Sequence, residues 1–173
     1  MRRISTPAII DIEASGFGPN SYPIEVGLVL ENGTRYCRLI APDPEWTEWS
    51  EDAEKIHHIS RKDIQEYGVS LTDVAEELNI LLENKTVYSD GWVVDEPWMI
   101  KLFDKAKVRR RFFMNDILTI MREEVLDTWH TVKNQVINEL QLTLHHAPHD
   151  ALIIQTTYAR IMTCHETLIL AKT

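Results

Sequence analysis

Only two cysteines stand in the 173-residue chain, Cys37 and Cys164, remote from each other and forming no Cys-x-x-Cys pair. That excludes a disulfide framework and a zinc ribbon, and it suits reduced thiols in a cytoplasmic protein. No apolar run approaches the length of a membrane span, so no membrane association is expected. Polar and strand-forming residues follow Met1-Arg2-Arg3 at once, unlike the apolar core of a signal peptide. Basic residues are in the minority, 18 Lys and Arg against 27 Asp and Glu, for a net charge of −9. A general nucleic-acid coat or a membrane-surface role is therefore disfavoured. A protein that grips one strand end in a local basic groove is still compatible with that charge. No repeat, linker or low-complexity segment divides the chain, and its length suits one domain, residues 1–173, with a real core.

Against this background the stretch Ile9-Ile10-Asp11-Ile12-Glu13-Ala14-Ser15-Gly16 stands out. It reads as a buried strand with two acids in it. Ile10 and Ile12 fall on one face, and Ile9, Asp11 and Glu13 on the other. Two carboxylates at ~5–7 Å repel by a few kcal/mol at an effective dielectric of about 20, and burial makes each costlier. A bound divalent cation, which prefers oxygen ligands, resolves the conflict. A solvated edge strand with two surface acids is the plainer alternative.

The following residues set the frame for that strand. Pro23 to Glu31 and Gly33 to Ala41 read as strands joined at Asn32-Gly33, a strong hairpin signal. Ser50 and Ser60 are placed to cap short helices, the second ended by Gly68. Ser70 with Asp73 opens an amphipathic helix to about Glu83. Thr86-Val87-Tyr88 reads as a fourth strand, Asp95 to Lys107 as a helix, and Val108 to Met114 as a fifth strand. Asn115 or Asp116 caps a helix to about Leu126. Further helices cover about His130 to Leu140 and Ala147 to Cys164, with Pro148 suited to the first turn of the latter. Three paired strands followed by strands alternating with helices predict an α/β fold, a five-stranded mixed sheet flanked by helices.

Two further acids occupy unusual places. Asp95 is followed at helical offsets by Trp98, Met99, Leu102, Phe103 and Ala106, and Asp150 by Ile153, Ile154, Thr157, Tyr158, Ile161 and Met162. Each acid heads the buried stripe of its helix. Dipole complementarity, worth about 0.3–1 kcal/mol, accounts for acids in a first turn. It does not account for their lying on the apolar face. Asp11, Glu13, Asp95 and Asp150 are thus all expected to point inward, and magnesium or manganese suits an all-carboxylate site.

These residues carry a resemblance. Asp11-x-Glu13 on the first strand, Asp95 after a strand, and His145 five residues before Asp150 are similar to the DEDDh 3′-to-5′ exonucleases. This is the DnaQ-like group that includes the polymerase proofreading subunit and RNase T. The group's third motif, His-x-Ala-x-x-Asp-Ala, is matched in full by His145-His146-Ala147-Pro148-His149-Asp150-Ala151. Ile56-His57-His58-Ile59-Ser60 resembles the group's Ile-His-Gly-Ile-Thr segment. The resemblance runs from about Ile9 to Met162. It departs at Ser89-Asp90-Gly91, where the group often has Ala-His-Asn, which makes Asp90 a rival to Asp95. It departs again at Ala14-Ser15-Gly16, where Thr-Thr-Gly is common.

The resemblance implies an RNase H-like fold and hydrolysis of the terminal phosphodiester of single-stranded DNA or RNA to 5′-mononucleotides. Two Mg2+ or Mn2+ ions would be held by Asp11, Glu13, Asp95 and Asp150, with His145 as general base. Ala14, Ser15, Gly16, Phe17, His58 and Trp92 are the expected substrate contacts, with Phe17 stacking on the terminal base and Ser15 offering its hydroxyl or backbone N–H. His145 and His149, four apart, could form a zinc pair, but Pro148 disfavours continuous helix between them. The basic run Lys101, Lys105, Lys107, Arg109, Arg110 and Arg111 is either one edge of a nucleic-acid groove or a solvated edge strand. Trp98 reads as core. Rival readings are an RNase H-like endonuclease, a non-catalytic binding module of the same fold, and a homodimer whose exposed aromatics serve assembly.

Overall fold

A computed structural model describes residues 5–170; Met1-Arg2-Arg3 lies outside the described residues. Five strands, β1 (Ile9–Ala14), β2 (Pro23–Val29), β3 (Arg35–Leu39), β4 (Thr86–Ser89) and β5 (Phe113–Asp116), form one sheet in the order β3-β2-β1-β4-β5. The first three pair antiparallel, and β4 runs parallel to both β1 and β5. The expected mixed α/β sheet is therefore present. No helix among the described residues is long and apolar enough to cross a membrane.

The helices are α1 (Glu51–His57), α2 (Arg61–Tyr67), α3 (Leu71–Leu82), α4 (Trp92–Ala106), α5 (Glu123–Leu126), α6 (Trp129–Leu140) and α7 (Ala147–Leu170). Ser50, Ser60 and Ser70 cap α1, α2 and α3 as expected, each accepting a backbone N–H from the third residue of its helix. The two sheet faces divide β1 by its period of two. Ile10 and Ile12 pack with Leu78, Leu82, Met99 and Leu102 of α3 and α4, whereas Ile9 packs with Ile154, Tyr158 and Ile161 of α7. Asp11 and Glu13 follow Ile9 and so face the α7 layer.

Several boundaries differ from expectation; α7 runs past Cys164 to Leu170, and β3 begins at Arg35 rather than Gly33. Helix α4 begins three residues before Asp95, because the single Gly91 carbonyl accepts the first helical N–H groups, those of Val94 and Asp95. The fifth strand starts only at Phe113. Upstream of it, the Asn79 side chain donates to the Arg109 carbonyl and accepts from the Arg111 N–H, which takes that backbone out of the sheet ladder. The helix expected to end near Leu126 is instead a short 3-10 turn, Ile117–Ile120, capped by Asp116, followed by α5.

One glycine decides how the last helix sits. Gly27 pairs with Asp11 across the sheet, and a Cβ there would lie 2.1 Å from the Ala147 carbonyl carbon and the Pro148 nitrogen. The α7 N-terminus therefore rests directly on the β2 backbone. Gly27→Ala is expected to destabilise the fold by about 2–3 kcal/mol, read as a lower urea midpoint with an unchanged m-value.

Candidate active site

The first strand ends with Asp11 and Glu13 at the sheet's centre. Asp11 is flanked by Gly27 on one side, and the parallel strand β4 lies on the other. The β4 chain continues through Ser89 and Asp90 into α4, where Asp95 is 3% exposed. Gly91 leaves room for the Asp95 carboxylate, whose Oδ2 would lie only 3.1 Å from a Cβ at that position. The Ser89 hydroxyl donates to the same oxygen. Asp150 comes from the first turn of α7. One cleft of about 340 Å³ is lined by Asp11, Glu13, Asp90, Asp95, Asp150, His145 and Lys133. The four carboxylates singled out from the sequence thus share one cleft, and the rival Asp90 joins them rather than replacing Asp95.

Their mutual repulsion is visible in their protonation. Burial, and then the charges of Asp95, Asp150, Glu13 and Asp90, push Asp11 far above the usual carboxylate range. Glu13 is pushed up to about 8 by burial and then by Asp150, Glu25 and Asp95. Asp95 is raised to about 7, chiefly by burial, with the Ser89 hydroxyl pulling the other way. Asp150 is raised by burial and held back by the backbone N–H of His145.

The loop before α7 is built around that last contact. His145 has a left-handed backbone, φ 59°, and its N–H donates to Asp150 Oδ2 at 2.8 Å. Glu13, His145 and Asp150 each bring one ligand atom within 4.8 Å of the other two. Glu25 anchors the loop from below. It is 3% exposed, accepts the Ala147 N–H at 2.9 Å and lies 3.3 Å from His146 Nδ1. Its signal in the sequence is a lone charge in an otherwise apolar strand. His149 Nδ1 instead meets the Thr143 carbonyl at 2.9 Å, away from the cleft, so the His145–His149 pair does not form a zinc site.

The expected substrate contacts divide. Ala14, Gly16 and Phe17 line a second hollow of about 150 Å³ that shares Glu13 and His145 with the cleft. Phe17 is 71% exposed. Ser15 is buried, and both groups expected to meet substrate are engaged within the protein. Its hydroxyl donates to Glu48 and accepts from the Tyr22 N–H, and its own N–H donates to the Tyr22 carbonyl. His58, at the left-handed C-cap of α1, lines a separate surface depression. Its neighbour His57 stands in the second hollow instead, because the helix ends between the two. His57 Nδ1 accepts the Ile59 N–H, which leaves the proton on Nε2; that atom is buried without a partner.

Trp92 packs against the core and donates its indole N–H to the Met114 carbonyl, outside the cleft. Trp98 packs against the core as expected but is only half-buried. It lines both the cleft and the second hollow, and its N–H donates to the Ser21 hydroxyl at 2.9 Å. Trp46 stacks on Tyr22, and Trp49 donates to Glu54. Most of the basic run is taken up in the protein. Lys101 donates to the Ser21 carbonyl, Lys105 pairs with Asp43 and Glu45, Arg110 grips Glu96 with two hydrogen bonds, and Arg111 meets Glu76 and Glu83. Lys107 and Arg109 of the same run are exposed and enter none of these pairs. Lys133 of α6, to which the sequence drew no attention, is the cation that stands in the cleft, paired with Asp90.

The donor set fits hard divalent cations: carboxylate oxygens dominate, with one imidazole in reach. With the five carboxylates ionised, the one ammonium leaves a large excess of negative charge in the cleft.

No family model matches the sequence, and no curated protein matches it significantly. Solved structures do match. An exonuclease I structure superposes with a TM-score of 0.72 at 14% identity, covering 92% of this chain and 41% of its own. E. coli exonuclease I in complex with a dT13 oligonucleotide gives 0.70 at 12% identity, covering 96% and 43%. The zinc ion-bound form of the E. coli exonuclease I–single-stranded DNA complex gives 0.65 at 14% identity, covering 92% and 40%. The chain therefore spans about two fifths of the length of these structures. What this chain has in common with them is the fold, an RNase H-like α/β fold with a five-stranded mixed sheet flanked by helices.

Proposed function

We propose that the chain is a metal-dependent 3′-to-5′ exonuclease acting on single-stranded nucleic acid. The observation that carries this reading is the single cleft in which Asp11, Glu13, Asp95 and Asp150 meet beside His145. That the matched exonuclease I structures include complexes with single-stranded DNA oligonucleotides favours DNA as the substrate.

Asp11, Glu13, Asp95 and Asp150 would hold two Mg2+ or Mn2+ ions. Bound there, the ions would supply the acidity that makes water a nucleophile at neutral pH and offset the charge gathering on phosphorus. His145, on the loop before α7, takes the proton of the attacking water. The new bond joins the water oxygen to phosphorus, and the bond from phosphorus to the 3′-oxygen of the preceding nucleotide breaks. The phosphate leaves on the 5′ side of the released nucleotide, and the shortened strand regains a 3′-hydroxyl. Phe17 offers an exposed ring for the terminal base, a contact type worth about 1–3 kcal/mol.

The test is incubation with 3′-tailed DNA and RNA, with and without Mn2+, followed by analysis of the released products. Mononucleotides from free 3′ ends, and none from circular or 3′-blocked strands, are expected. Cutting of circles would instead mean an endonuclease. His145→Ala is expected to slow hydrolysis by about 10²–10⁴-fold while calorimetry still detects Mn2+ binding. Normal turnover in that variant would remove the assignment.

A further inference from the structure

We infer that Lys133 is a further catalytic residue, one that donates to a non-bridging oxygen of the phosphate under attack. The inference rests on the exonuclease reading above.

Lys133 lies on α6, one helical turn before Ile137, and both line the acid cleft. Its side chain retains 28% exposure, so it is not enclosed in the core. An ammonium has three donors; among the described residues, Asp90 is the one acceptor it meets. The remaining polar side chains on the cleft walls are carboxylates, His145 and the Trp98 indole. A phosphodiester entering among five carboxylates meets repulsion from every side. Among the described residues, Lys133 is the one positive side chain on those walls that could bind its oxygens directly.

The bland account of the same contact is a strap. Asp90 follows β4 and Lys133 belongs to α6, 43 residues on, so the ion pair would merely tie two elements together. A partly exposed strap of this kind is worth little to stability. Its position in the acid cleft is then unexplained. A lysine is also suited to both jobs in turn, since its four-carbon stem lets one charge swing between neighbouring anions.

The two accounts separate in an oligonucleotide-binding experiment with Ca2+ replacing Mn2+, read by fluorescence anisotropy. The probes are a 3′-tailed DNA and the same strand carrying a neutral methylphosphonate at its terminal linkage. Wild type is expected to bind the methylphosphonate strand about 10-fold more weakly. Lys133→Met is expected to bind the natural strand about 10-fold more weakly than wild type and to lose clearly less affinity than wild type does on the methylphosphonate, because only the bound cations still attract the phosphate oxygens. Its salt dependence should fall by about 0.7 in log–log slope. Its Mn2+ affinity, by calorimetry, should hold or rise, because a positive charge has left an anionic cleft. Asp90→Asn breaks the same ion pair but keeps the ammonium, and it is expected to stay sensitive to the methylphosphonate.

If Lys133→Met discriminates between the two strands as wild type does, the inference is overturned while the exonuclease reading stands. The same holds if Asp90→Asn and Lys133→Met behave alike, since a strap predicts that result. If wild-type protein neither binds nor degrades the natural strand, the exonuclease reading itself has failed.

Discussion

Asp11→Asn is expected to raise the melting temperature of the metal-free protein while abolishing Mn2+-dependent hydrolysis. Asp11 receives the repulsion of four neighbouring carboxylates besides the cost of its own burial. An amide of the same shape removes the cost of either burying that charge or protonating the acid. A gain of about 1–3 kcal/mol follows, or roughly 3–8 °C for a chain of this length. The same charge is central to the proposed cation site. Its loss forfeits several kcal/mol of transition-state stabilisation, about 10³-fold or more in rate. Calorimetric melting and product release, measured on one preparation, read both signs at once. A variant that melts lower and turns over normally would contradict both halves.

A second large effect is in the pH dependence of the metal-free protein. Burial and like charges lift Glu13 from the ordinary carboxylate range, near 4, to about 8 and Asp95 to about 7. A group whose folded pKa exceeds its unfolded value contributes stability fully below the unfolded pKa. That contribution is lost as pH rises through the folded one. Without metal, the protein should therefore lose stability steadily between about pH 4 and pH 8. The fall is about 2–4 kcal/mol once the solvent reaching the cleft is allowed for. Divalent ions bind the deprotonated carboxylates, so saturating Mn2+ should raise the melting temperature more at pH 8 than at pH 6. Urea midpoints across this range, with chelator and with Mn2+, check the prediction. A flat profile in chelator would mean that the carboxylates do not repel one another as the cleft geometry requires.

Much of this was legible in residue order. Alternation in β1 separates Ile10 and Ile12 from Asp11 and Glu13, and each set does face a different layer. The offsets behind Asp95 and Asp150 mark first-turn acids on inward stripes, and both line the cleft. Serine caps opened three helices where expected. The misreadings share a cause. Arg109 to Arg111 has the composition of an edge strand, but Asn79, about 30 residues earlier, takes its backbone hydrogen bonds. Trp98 does pack against the core as its spacing expects, but its half-buried ring also lines the cleft, which spacing does not reveal. His57 and His58 are neighbours in sequence, and a left-handed cap residue sends them to different surfaces.

Periodicity, capping and turn chemistry are properties of a few adjacent residues, which is why strands, helices and the inward direction of four acids could be read from the chain alone. Which inward faces meet is another matter, because it depends on packing between segments far apart in sequence. The contact of Lys133 with Asp90, the grip of Glu25 on the His145 loop, and the seat that Gly27 provides for α7 are all of that kind. Close packing of the α7 N-terminus on β2 turned a set of separate carboxylates into one cleft of concentrated acidity.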